Sequence, residues 1–126
     1  MNIPFDKLIA RIIALGIPGL VLVVAIFTSG FVGAAAIVAA LAALGGPLGM
    51  VGGILALGLL VLIGQAITEY GFETVFCSVL RGLKERGNTK EQILKKIDSY
   101  LISLELKLKL RLYVEKFWEV KIGSQQ

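Results

Sequence analysis

The residues able to do chemistry are few and scattered along the 126-residue chain. Histidine is absent, which removes the commonest general base and metal ligand. No phosphate-cradling glycine loop, dinucleotide fingerprint, nucleophile elbow or H-E-x-x-H pair occurs. Glu69 and Glu73 stand four residues apart, one turn of a continuous helix. They would be a carboxylate pair or, in an oligomer, a ring attracting cations, although two solvated charges are the plainer reading. Cys77 is the single cysteine, so no disulfide within the chain can form, and it reads as a small apolar helix residue. Neither catalysis nor a cofactor nor a bound metal is expected.

What the chain does carry is an apolar interior of unusual length. Hydrophobic residues make up 56% of the sequence, above the roughly 45–50% of soluble domains. Positions 12–68 hold no Asp, Glu, Lys, Arg or His, and their only hydrogen-bonding side chains are Thr28, Ser29, Gln65 and Thr68. Those 57 residues would reach about 85 Å as one helix, whereas a hydrocarbon core is about 30 Å thick and takes about 20 residues per crossing. Two crossings fit, over 20–44 and 48–68, with the turn at Gly45, Gly46 and Pro47, where backbone freedom and a missing N–H break the helix. A third crossing, with an extra turn at Thr28, Ser29 and Gly30, would leave each helix barely long enough. An ion pathway normally needs polar or ionisable groups within the span, so the few polar residues here disfavour a selective transporter.

The flanks supply the polarity. Eleven of the thirteen basic and eight of the nine acidic residues lie from Glu69 to the C-terminus, leaving Asp6, Lys7 and Arg11 at the other end. Both flanks are net basic, which places both on the cytoplasmic side and makes the number of crossings even. Lys7, Arg11 and, among the aromatic residues near the C-terminus, Trp118 are the candidates for contact with the membrane surface. A cleaved leader is not expected, because the product would begin with a second long apolar segment. Nucleic acid is not an expected partner, since acidic residues are interspersed among the basic ones.

The elements that must hold these groups follow from periodicity. Phe5, Leu8, Ile9, Ile12 and Ile13 share a helix face opposite Asp6, Lys7 and Arg11. Residues 1–18 are therefore expected to be an amphipathic helix lying in the membrane interface, or else the start of the first crossing. Residues 19–68 form the transmembrane hairpin, and 69–126 a charged amphipathic helical domain. In that domain Phe72, Val75, Phe76, Val79, Leu80 and Leu83 make one stripe, Arg86-Gly87-Asn88 ends its helix, and Thr89 with Gln92 opens another as a capping box. These two helices are expected to pair as an αα-hairpin. From 104 to 112 leucines alternate with charges, the period of a strand; the residue types are helix formers and no partner strand exists, so a helix with leucines on two sides is expected. The fold class expected is an all-α membrane protein.

Small residues on the hairpin are spaced for helix association. Gly45, Gly49 and Gly53 form G-x-x-x-G-x-x-x-G, and Ala35, Ala39 and Ala43 repeat the spacing before the turn. In lipid, where apolar burial between helices gives little drive, such faces associate by close packing, either within the hairpin or between copies. The glycine zipper around Gly45-Gly46-Pro47-Leu48-Gly49-Met50-Val51-Gly52-Gly53, followed by a charged helical tail, resembles small bacterial membrane effectors of holin-like and abortive-infection type. The resemblance implies homo-oligomers that damage a membrane, and it offers no catalytic residues; the localisation expected is a bacterial inner membrane, with both termini cytoplasmic by the charge of the flanks. The function expected is a self-assembling, membrane-permeabilising or pore-forming effector. The alternative is a membrane anchor or adaptor whose segment 69–122 recruits a regulatory protein partner.

Overall fold

A computed structural model describes the backbone of residues 3–43 and 50–123 and the side chains of 3–36 and 58–123. Among the described residues the chain is all helical, with six α-helices and no strand. They are α1 (Phe5–Ala14), α2 (Ile17–Ala43), α3 (Met50–Tyr70), α4 (Phe72–Glu85), α5 (Lys90–Ser99) and α6 (Leu104–Phe117), with a π-helical turn at Trp118–Ile122.

Glycines set most of the breaks. Gly16, Gly30, Gly71 and Gly87 all have positive φ, the region from which a Cβ is largely excluded. Gly16 separates α1 from α2, which resumes at Ile17 with Pro18 in its first turn, where a missing N–H costs nothing. Gly30, at φ 76° and ψ −173°, divides α2 into two rods, 17–29 and 31–43. The interruption anticipated at Thr28 to Gly30 is thus a kink within α2. At Gly71 the chain turns by 119° between the end of α3 and α4.

The caps read from the sequence are present. Beyond α4 the Gly87 N–H donates to the Lys84 carbonyl at 2.9 Å and the Asn88 N–H to that of Leu83 at 3.1 Å, the paired bonds of a Schellman motif. Thr89 and Gln92 exchange both capping-box bonds, at 2.9 and 3.1 Å. The leucine-charge alternation forms helix α6, and the Ser103 hydroxyl caps it by accepting from the Leu106 N–H at 3.2 Å.

The helices assemble around α2, which touches α1, α3, α4, α5 and α6. The αα-hairpin expected of α4 and α5 is not the arrangement found. The main neighbours of α4 are α2 and α1, and those of α5 are α6 and α2. A helix that is apolar all round can be hidden from water only by partners on every side, so the amphipathic helices spread around α2 rather than pair. One apolar core results, drawing Leu8 and Ile12 from the first expected segment, Leu20 and Ile63 from the second, and Phe76 and Ile97 from the third. Among the described residues no charged side chain is buried.

Candidate functional site

The feature that dominates the molecule is the apolar run and the sheath of helices over its first part. Six consecutive residues, Leu20, Val21, Leu22, Val23, Val24 and Ala25, are buried. Consecutive residues point to all sides of a helix, so this part of α2 is enclosed. The sheath is built from apolar faces: Leu8, Ile9 and Ile12 of α1, Val75, Phe76, Val79 and Leu80 of α4, and Leu106, Leu110 and Val114 of α6. Two close approaches permit it. A Cβ on Gly19 would overlap the Ile12 carbonyl, and one on Gly82 would overlap the Ile13 side chain.

An aromatic seam marks the edge of the sheath. Phe27 stacks on Phe72 at 4.1 Å between ring centroids, Phe72 meets Tyr113 at 5.0 Å, and Phe76 meets Phe117 at 5.6 Å. Beyond the seam the apolar surface is bare: Phe27, Phe31 and Val61 are about half exposed and Val32 is 82% exposed. Here α2 and α3 lie side by side, with room at Gly64 of α3 for a Cβ to reach ordinary van der Waals contact with Ile26. An open groove between them is lined by Ile26, Phe31, Leu60, Val61 and Gly64, with Gln65, Thr68 and Glu69 at one end. Among the described residues one helical stretch, Ile17–Ala36, is long and apolar enough to cross a membrane. Gly58–Tyr70 meets that test only when joined to Phe72–Glu85 across the bend.

The two threonine hydroxyls of the run bond to the backbone: Thr28 Oγ1 donates to the Val24 carbonyl at 2.9 Å and Thr68 Oγ1 to that of Gly64 at 3.0 Å, the local bonding a hydroxyl adopts on a helix. Glu69 and Glu73 do not form the one-turn pair their spacing suggests, because Gly71 breaks the helix between them. Glu69 edges the groove, whereas Glu73 is paired with Lys121 at 3.4 Å. Cys77 is buried, and its thiol pKa is raised first by that burial and then by the Glu73 charge, against smaller opposing effects of Arg81 and Lys121. Such a thiol is a poor nucleophile. No group of three or more metal-ligating side chains comes together among the described residues.

Of the helix-association candidates, Ala35 is half-buried against the core. Ala39 and Ala43 lie on α2 and Gly53 on α3, within the stretch whose side-chain surroundings are not described, and Gly45 and Gly49 fall outside the described residues. Lys7 and Arg11 are exposed on α1. Trp118 is half-buried, with the Lys84 ammonium 5.9 Å from its ring. Sequence spacing does not single out the close-approach glycines Gly19 and Gly82. The two ends of the described chain meet on α4. The Arg86 guanidinium donates to the Ile13 carbonyl at 3.3 Å, and the Lys84 ammonium to that of Ile122 at 3.3 Å. Compared with protein-family models, curated proteins and solved structures, the chain has no match.

Proposed function

We propose that this protein inserts its α2–α3 hairpin into a bilayer, associates with further copies through the glycine- and alanine-rich faces, and permeabilises the membrane. The observation that carries the reading is the bare apolar surface past the aromatic seam, where Phe27, Phe31, Val32 and Val61 face outward. Each square ångström of such surface costs about 25 cal/mol against water, and lipid removes that cost. The contacts of Ile13 and Ile122 with α4 hold both flanks at the sheathed end of the hairpin, which supports placing both on one side, cytoplasmic by the positive-inside rule. An oligomeric effector of a bacterial inner membrane fits these features and the zipper spacing.

A second reading, the anchor, has its own observation in favour. The amphipathic faces of α1, α4 and α5 are closed on α2, which leaves them unavailable to line a pore while the sheath stays shut. Dye release from liposomes separates the two. A permeabilising protein empties vesicles, and replacing both Gly49 and Gly53 with Leu lowers crosslinked oligomers and leakage together while insertion persists. Sealed vesicles with wild-type protein, or undiminished leakage from the double variant, would reject self-assembly as the cause of the damage.

A further inference from the structure

The alternation from 104 to 112 gives α6 two apolar faces, of which the core uses one. Leu106 and Leu110 are buried, whereas Leu104, Leu108 and Leu112 are 70%, 58% and 60% exposed. At 100° per residue these three span about 80° of the helix surface, nearly opposite the buried pair. They make a ridge a little over two turns long, and Leu101, 72% exposed, stands just before it. Exposed leucines in isolation are unremarked in proteins, but an aligned ridge on the outside of a finished helix marks a contact surface.

The charges beside the ridge select its occupant. Lys107 and Arg111 lie along one flank, and Glu105, Lys109 and Lys116 along the other, with Glu115 near the C-terminal end. Lys109 and Glu105 are 3.9 Å apart, and Arg111 pairs with Asp98 at 2.8 Å. On α6 four cations therefore face two carboxylates. Two antiparallel copies docked ridge to ridge would set Lys107 and Arg111 against the same residues of the other copy, a like-charge contact. An anionic lipid surface meets the opposite condition: leucines enter the acyl boundary while flanking Lys and Arg reach the headgroups. The C-terminal part of α6 lies at the edge where the hairpin leaves the sheath, since Tyr113 joins Phe72 and, through it, Phe27.

We infer that the Leu104, Leu108 and Leu112 face of α6 is a membrane-docking surface that lies shallowly on an anionic leaflet. The inference rests on the membrane-inserting reading of the hairpin, and its test is arranged to separate the two. Single cysteines for an environment-sensitive fluorophore are placed in the full chain at Leu104→Cys, Leu108→Cys, Leu112→Cys, Lys107→Cys and Val32→Cys, each with Cys77→Ala. The protein is reconstituted into vesicles of phosphatidylcholine alone or mixed with phosphatidylglycerol, with brominated acyl chains as quenchers. The expected result is blue-shifted, strongly quenched emission at 104, 108 and 112 in the anionic vesicles, weaker quenching at 107, and loss of that quenching from the ridge in phosphatidylcholine alone. Quenching at 32 with none at 104, 108 and 112 overturns the docking surface and leaves the inserted hairpin standing. Absence of quenching at 32 as well removes both. Blue-shifted ridge emission that bromolipids do not quench and that dilution reverses assigns the face to a second copy, and overturns the inference equally.

Discussion

The two halves of the Ile17–Ala36 stretch are alike in sequence and opposite in surroundings. Before Ile26, Leu20 to Ala25 are enclosed by α1, α4, α5 and α6 as the core of a helical bundle would be. After it, Phe27, Phe31 and Val32 face outward with no sheath. Both halves are uncharged, and only together do they make a stretch long and apolar enough to cross a membrane. The difference teaches that an apolar run is a demand for an apolar environment and not a statement of which one; protein satisfies it in the first half and leaves much of the second uncovered. The kink at Gly30 falls just past the aromatic seam, close to where one environment gives way to the other.

The sharpest way to break this comparison is to remove equal chemistry from each side of the seam. Phe76 is fully buried within the aromatic cluster of Phe72, Tyr113 and Phe117, so Phe76→Ala should cost about 3–5 kcal/mol. Val32→Ala, on the bare side, should change stability by less than about 0.5 kcal/mol. Denaturant unfolding in mild detergent, followed by the fluorescence of the single tryptophan, Trp118, measures both. Similar costs at the two sites would mean that no sheath distinguishes them.

A smaller effect tests the boundary itself. Gly30 occupies a backbone region essentially reserved for glycine, where any other residue costs about 1–3 kcal/mol. Gly30→Ala is therefore expected to straighten α2 and swing rod 31–43 relative to the sheath. Distances between spin labels at positions 36 and 95 should shift while the unfolding of the sheath does not. An unchanged distance would show that neighbours, and not the glycine, impose the bend.

The smallest expected effect lies in the sheath alone. Tyr100 is buried and its hydroxyl has no hydrogen-bond partner. Burial raises its pKa from 10.0 to about 12. The unfolded chain loses this proton first as pH rises, so stability present below pH 10 should decline between pH 10 and 12. Tyr100→Phe removes an unsatisfied buried group and should stabilise by about 1 kcal/mol, and it should remove that part of the alkaline decline. A fall in stability on substitution would reveal a partner for the hydroxyl.

Local structure was legible where a local rule governs it. The Thr89–Gln92 box, the Gly87 stop and the apolar stripe of α4 depend on groups within a few residues of each other, and the helices begin and end where those groups stand. Partner choice was not. The stripe of α4 and that of α5 suggested a mutual hairpin, yet each packs mainly elsewhere. Glu69 and Glu73 looked like neighbours on one helix until Gly71 turned the chain. The glycine- and alanine-spaced face was the most specific sequence motif, but Gly45 and Gly49 lie outside the described residues.

By itself the sequence determined that the chain is helical and that a long segment needs apolar surroundings. It also determined that the helix over the stripe of 72–83 ends at Gly87, and that 104–112 carries leucines on two sides. Only the tertiary structure decided which part of the apolar segment the protein covers, which leucines of α6 turn inward, and which carboxylate finds Lys121. The physical reason is that capping and turn chemistry act between near neighbours with fixed geometry, whereas hydrophobic burial is non-directional. Periodicity can show that a face will be buried; only the arrangement of the other five described helices around α2 shows against what.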